Sequence, residues 1–279
     1  MNLVRKKTAG RIAGLWHTRP MTRLMNQGGF CFGLLILNFA THVVAAEGLV
    51  PAALDVQTQA VQSQFKRANF KGMSASQQVQ HVADWVVDSG DHQGMSFVIV
   101  DKTEAKVFVF GADGVLNGTS AALLGLAVGD DAVPGIGERK LSSIRPDERT
   151  TPAGRFVAAL GRNLHGGEIL WVDYDTAISL HPVVTNNASE RRAERLATPS
   201  PLDNRISYGC INVPADFFLR VVSPAFKGSN GVVYVLPETR SPQSVFASYD
   251  VTEREQLQAA VKHSPAQVAT HIISNAATR

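Results

Sequence analysis

Ser207-Tyr208-Gly209-Cys210-Ile211-Asn212 sets a cysteine directly after a glycine, in a chain of 279 residues that holds only two cysteines. The other, Cys31, lies in an N-terminal apolar run with the features of an export signal. Once that run is removed, Cys210 has no partner for an internal disulfide. A lone thiol in an exported protein is an inert small hydrophobe, an intermolecular link or a nucleophile. The neighbours favour the nucleophile. Gly209 allows a sharp turn and leaves the approach to sulfur clear. That turn would aim the N–H groups of Gly209 and Cys210 at one point, an oxyanion hole that needs no side chain.

A thiol nucleophile needs a base, and imidazole is the usual one. After residue 46 the chain offers His81, His92, His165, His181, His263 and His271. His181 closes the run Ala177-Ile178-Ser179-Leu180-His181, a strand-like stretch that would fix an imidazole rigidly. His165, in Leu164-His165-Gly166-Gly167, is the rival base and reads as a hairpin-loop residue.

Outward from this pair, the span 95–238 alternates short apolar runs with polar turns. Phe97–Val100 and Lys106–Phe110 read as a hairpin, Ala121–Val128 as a further strand, and Ile169–Asp173 with Thr176–Leu180 as a second hairpin. Gly231–Leu236 reads as a closing strand, and Pro214–Val222 as the one helix of the span. Helical patterns flank it. Ser74 and Gln77 suggest a capping box before Val79, Val82, Ala83 and Val86, with Gly90 as the stop. Val56, Ala60, Val61 and Phe65 suggest an earlier helix, and Val251–Val261 and Ala266–Ile273 suggest two in the tail. The expected class is mostly β with helices at both ends. Its expected segments are 1–46 (signal peptide), 47–94 (helical), 95–238 (catalytic) and 239–279 (helical tail).

Residues 1–46 contain no Asp or Glu and carry Arg5, Lys6, Lys7, Arg11, Arg19 and Arg23 ahead of the apolar stretch Gly28–Ala40. Val44-Ala45-Ala46 then offers small residues for cleavage before Glu47. The expectation is export to the periplasm, with an uncleaved N-terminal anchor as the alternative. Removing the six basic residues leaves 21 Lys and Arg against 24 Asp and Glu, a net of −3. The basicity belongs to targeting, and nothing in the remainder resembles a nucleic-acid footprint. Gly135-Ile136-Gly137 lacks the rest of a dinucleotide fingerprint, and one thiol with scattered histidines is a poor zinc set. No cofactor and no metal are expected.

The span from about Phe97 to Pro237 resembles the L,D-transpeptidase catalytic domain of the YkuD type. That family's pattern is an upstream histidine followed by Ser/Thr-His-Gly-Cys-hydrophobic-Asn/Arg. His181 matches the first element, and Ser207, Gly209, Cys210, Ile211 and Asn212 match the second. Thr151-Pro152-Ala153-Gly154-Arg155-Phe156 resembles the family's Thr-Pro-x-Gly-x-Phe stretch, and Val98–Asp101 its first strand. The resemblance implies a β-sandwich-like domain carrying a cysteine acyltransferase. Cys210 would attack the L–D amide of a peptidoglycan stem peptide and form a thioester. The acyl group would then pass to an amine of a second stem peptide, or of another acceptor peptide or protein. His181 would be the general base, with Tyr208, Gly209, Ser207 and Asn212 shaping the oxyanion and substrate site. The implied setting is cell-wall biogenesis and cell shape. A hydrolase using the same thioester, such as an L,D-carboxypeptidase, and a domain that only binds wall peptides are the alternatives.

Two departures from the pattern stand out. Tyr208 takes the place of the family's second histidine and cannot carry charge near neutral pH. Twenty-six positions separate His181 from Ser207, a longer spacer than the family's. The insert from Thr185 to Arg205 reads as a short charged helix in a lid, or as a loop without substrate contact. Arg205 reads as a stem-carboxylate ligand or as a solvated loop residue.

Overall fold

A computed structural model describes residues 65–261 of the chain. The expected signal segment, most of the Gln-rich stretch with its expected helix, and the helix expected at 266–273 lie outside the described residues. The strands are β1 (Phe97–Asp101), β2 (Lys106–Phe110), β3 (Leu116–Ala121), β4 (Leu124–Gly125) and β5 (Gly154–Arg162). They continue as β6 (Glu168–Asp173), β7 (Ile178–Pro182), β8 (Arg205–Ser207), β9 (Ile211–Val213) and β10 (Gly231–Val235). Eight of them form one sheet in the order β3-β2-β1-β10-β5-β6-β7-β9, while β4 and β8 pair separately. The β1–β10, β7–β9 and β4–β8 pairs are parallel and the others antiparallel. The domain is mostly β, as its alternating runs require.

Both expected hairpins form, β1 with β2 and β6 with β7. The strand expected over Ala121–Val128 does not. Its place is divided between β3, which lies upstream, and the two-residue β4. β3 reads Leu-Asn-Gly-Thr-Ser-Ala, a polar sequence suited to the edge of the sheet, where one side of the ladder faces outward.

β1, β2 and β10 are almost entirely apolar, apart from Asp101 and the exposed Lys106 at their ends, because both of their faces are buried. On one face Val98, Val100, Val107, Val109, Val233 and Val235 meet Leu170, Leu180 and Ile211 from the other half of the sheet. Phe218, Val222 and Phe226 complete that core. They belong to a helical stretch that runs past the expected Val222, through Ala215–Phe217, a π turn at Phe218–Val222 and Ser223–Phe226. On the opposite face Phe97, Ile99, Phe108, Phe110, Val232 and Tyr234 pack against α1 (Gln77–Ser89) and Phe246.

α1 buries Val79, Val82, Ala83, Trp85 and Val86, the expected stripe. Its N-cap is Ser76 and not Ser74: the Ser76 hydroxyl accepts from Val79 N–H and donates to Asp101 at 2.6 Å. Gly90 ends it at φ 70°. Residues 65–73 are not helical, and Asn69 bridges to Val115 instead. Residues 251–261 are helical, as expected. Among the described residues no helix is long and apolar enough to cross a membrane.

A buried ionic cluster ties five segments together. Lys102, 1 % exposed, donates to Asp130 (2.8 Å), to the Gly129 carbonyl (2.5 Å) and to the Thr151 carbonyl (3.1 Å). Glu238 lies 3.5 Å from the same ammonium and pairs with Arg205, which also donates to the Lys102 carbonyl. Asp130 accepts from the N–H groups of Glu238, Thr239 and Arg240. Burial pushes its carboxyl up, but these donors and Lys102 outweigh it and hold the group well below the usual carboxylate range. Arg205 is thus an internal strut, neither a free carboxylate ligand nor a solvated loop residue.

Candidate active site

β7 alternates its side chains, so Ile178 and Leu180 enter the core while Ser179 and His181 face the other way. β9 runs parallel beside it, with Leu180 opposite Ile211 and His181 opposite Asn212. One step earlier in that register, Cys210 stands beside Ser179. The Ser179 hydroxyl lies 3.6 Å from the Cys210 sulfur, which is also 3.6 Å from the Ala177 carbonyl oxygen. Ser179 was missed in the sequence, although its place two residues before His181 puts both on one face of a strand.

His181 Nδ1 lies 2.8 Å from the Pro182 carbonyl oxygen. A carbonyl only accepts, so Nδ1 carries a proton and Nε2 is the basic nitrogen. Burial pushes the Cys210 thiol up, but the hydrogen bond and charge of His181, helped by Ser179, outweigh it and bring the thiol below its ordinary value. Burial likewise pushes His181 down, yet Cys210 and the Pro182 carbonyl raise it above the usual imidazole value, with Arg192 opposing. Each group favours the charged form of the other. His165 sits in the exposed β5–β6 turn, its N–H held by Asn163.

The turn before Cys210 depends on glycine. Gly209 has φ 127°, and a Cβ there would lie 2.7 Å from Ile178 Cδ1 and 2.8 Å from the Thr150 carbonyl. The fully buried Thr151 accepts from Gly125 N–H (2.9 Å) and donates to the Gly209 carbonyl (2.8 Å). Ser207 and Asn212, 3 % and 1 % exposed, both donate to the Cys210 carbonyl. They shape the turn from within and are too buried to meet substrate. The Gly209 N–H corrects the expected oxyanion hole: it donates to Ser207 Oγ at 3.0 Å and is already used. Among the described residues the Tyr208 and Cys210 N–H groups have no partner, and these two amides are left for an oxyanion.

Cys210 and Tyr208 border a cavity of about 130 Å³. Ile136, Leu141 and Ile144 from the 129–150 loop line it, along with Thr176, Ala177 and Ile178. The wall of this cavity comes from that loop, and no residue of the 185–205 insert, read as a lid or as a loop without substrate contact, lines it. Gly137 lets the loop approach the β6–β7 turn, since a Cβ there would lie 2.3 Å from the Asp175 carbonyl. Arg139 pairs with Glu148 through two contacts of 3.0 Å, holding the Glu148 carboxyl down to about 2. Arg149 lies 3.9 Å above the centre of the Tyr208 ring, a cation–π contact.

The insert does form its short charged helix, Arg192–Ala197 (α2), after a 3₁₀ turn at Ala188–Glu190. Arg192 pairs with Glu190 and donates to Asn212 Oδ1 at 2.8 Å, which anchors the insert beside β9. A wider groove of about 750 Å³, lined by His81, Asp84 and Gln243 among others, contains none of these groups. Among the described residues no cluster of His, Cys, Asp and Glu could hold a metal ion.

No family model matches the chain, and no curated protein matches it in sequence. Among solved structures, it is similar to the helical cell shape determining protein Pgp2 from Campylobacter jejuni, at 16% identity and a TM-score of 0.34. That alignment covers 53% of this chain and 49% of the other. A mutant of the Enterococcus faecium L,D-transpeptidase matches at 17% identity and a TM-score of 0.29, over 51% and 50% of the two chains. The chain thus spans about half the length of the structures it matches. These likenesses are distant, and the functional reading rests on the side chains around Cys210.

Proposed function

We propose that the protein is an exported cysteine acyltransferase of the L,D-transpeptidase type, acting on peptidoglycan stem peptides. The placement of Cys210 beside β7, on the face that carries Ser179 and His181, carries this reading, and each of Cys210 and His181 favours the charged form of the other. The thiolate adds to the carbonyl of the L–D amide, and the oxyanion is met by the Cys210 and Tyr208 N–H groups. The C–N bond breaks as His181, protonated on both nitrogens, gives the Nε2 proton to the departing amine. A thioester and a neutral imidazole remain. An acceptor amine then attacks the thioester, Nε2 takes its proton, and the thiolate leaves. The new amide joins two stem peptides, or a stem peptide to an amine on another protein. No cofactor enters either step.

Export through residues 1–46 supplies access to that substrate, and the resulting role lies in cell-wall biogenesis and cell shape. Helical segments flank the catalytic span 95–238, and α1 braces β1, β2 and β10 in the same manner as Phe246. The test is mass analysis of tetrapeptide muropeptides incubated with the purified protein. Cross-linked dimers are expected. Shortened monomers alone would assign the thioester to water, making the protein an L,D-carboxypeptidase or another hydrolase. An unchanged mixture would leave only wall-peptide binding.

A further inference from the structure

Trp171 on β6 stands opposite Ser179 on β7, and Ser179 stands beside Cys210. Residues paired across strands share a face. Trp171, Ser179 and Cys210 therefore form one row on the face that His181 also occupies. The alternate residues Leu170, Val172, Leu180 and Ile211 fill the core on the other side.

The aromatic end of this row is built with care for position. Trp171 is stacked with Tyr174, ring centres 4.9 Å apart and planes at 23°. Tyr174 is 68 % exposed, so the pair presents a fixed aromatic face to solvent. Beside the indole, β5 carries Gly161, where a Cβ would lie 2.7 Å from Trp171 Cδ1. Tyr174 opens the turn whose later residues, Thr176 and Ala177, line the Cys210 cavity. Exposed Asp175 follows it, an acceptor at the rim of the aromatic face.

We propose that Trp171 and Tyr174 form a stacking platform for the amino-sugar ring that carries the stem peptide. This rests on the function proposed above. The reacting amide follows the third residue of a stem that hangs from the sugar. Three extended residues span about 10 Å. Two strand spacings, from Cys210 across β7 to β6, come to about 9.5 Å. A donor with its scissile carbonyl at the sulfur thus lays its sugar on the aromatic pair. One face of a pyranose is largely C–H and suits an aromatic surface, while its hydroxyls need polar partners such as Asp175 at the rim. The platform selects donors that still bear their sugar over free peptides.

The test has a binding arm and a kinetic arm. In Cys210→Ala protein, the Trp171 indole N–H resonance, identified through Trp171→Phe, is followed by NMR. The titrants are the N-acetylglucosamine–N-acetylmuramic acid disaccharide without peptide, and the tetrapeptide without sugar. The disaccharide is expected to shift the resonance. No shift, or a shift with the tetrapeptide alone, overturns the proposal. In the kinetic arm, wild-type kcat/KM is expected to favour disaccharide-tetrapeptide over free tetrapeptide by roughly tenfold, the ratio given by about 1.4 kcal/mol. Tyr174→Ala should erase most of that preference, lowering kcat/KM on the disaccharide-tetrapeptide far more than on the free tetrapeptide. An equal loss on both donors, or a retained preference, overturns it. If the wild type processes neither donor while the disaccharide still shifts Trp171, the acyltransferase reading falls and the sugar platform stands.

Discussion

Val232 on β10 and Val157 on β5 are direct partners in the sheet and share a face, yet one is fully buried and the other 56 % exposed. The boundary between two halves of the sheet runs between them. On one side α1 and Phe246 cover β1, β2 and β10, and burial of both faces holds the domain together. On the other side the same face of β5, β6 and β7 carries Trp171, Ser179 and His181 and leads to Cys210. Where α1 no longer covers the sheet, that face gives up part of its hydrophobic stabilisation and instead holds polar side chains on rigid strands beside the Cys210 cavity, with Ser179 itself buried. Apolar packing is concentrated in the half under α1 and the candidate site in the other.

The sharpest way to break this comparison is to remove the sulfur. Cys210→Ala is expected to abolish acylation by a carbapenem, read as loss of the added mass, while the unfolding transition stays close to wild type. Acylation of the variant would place the nucleophile elsewhere. His181→Asn is expected to lower acylation by a factor of about 10² to 10⁴. The pH profile sharpens that result. His181 holds the Cys210 thiol below its ordinary value against the opposing effect of burial, so alkylation opens at a lower pH than for the same thiol without the imidazole. In His181→Asn the opening limb of iodoacetamide alkylation should move up in pH, toward an ordinary thiol.

Lys102→Met tests the cluster that links the two halves. Removing one partner of a buried ionic group costs about 3–5 kcal/mol, which a denaturant titration would resolve. The folded pKa of Asp130 is depressed, so its contribution is present above its unfolded value near 4 and lost as pH falls below that. Lys102→Met should therefore shrink the acid-dependent loss of stability as well. The smallest effects belong to the two valines. Val232→Ala is expected to cost about 2 kcal/mol through lost burial and a cavity, and Val157→Ala within about 0.5 kcal/mol. Equal costs would mean that Val157 is covered and the sheet is not divided as described.

Legibility in the sequence followed the same division. Phe97–Val100, Lys106–Phe110 and Gly231–Leu236 could be read as strands because burial on both faces demands unbroken apolar runs. β3 could not, since an edge strand tolerates Asn117, Gly118, Thr119 and Ser120. Cys210 and His181 were legible as candidates, chiefly through the family pattern that their neighbours resemble. The amides were not: Gly209 looked like the oxyanion donor, and only the placement of Ser207 Oγ shows that its N–H is already engaged. The charged insert announced itself by composition and reads as a lid or as a loop without substrate contact, whereas the 129–150 loop has an unremarkable sequence, and only the fold brings Ile136, Leu141 and Ile144 to the cavity beside Cys210.

The sequence alone determined the strand-rich class, the candidates Cys210 and His181 and a turn at Gly209, because periodicity, residue type and backbone sterics act locally. Tertiary structure alone decided which backbone N–H groups beside Cys210 stay unpaired, which loop lines the cavity next to the sulfur, and that Trp171, Ser179 and Cys210 share one row. Those properties depend on register between strands distant in the chain, and local propensity carries no information about which strand will lie beside which.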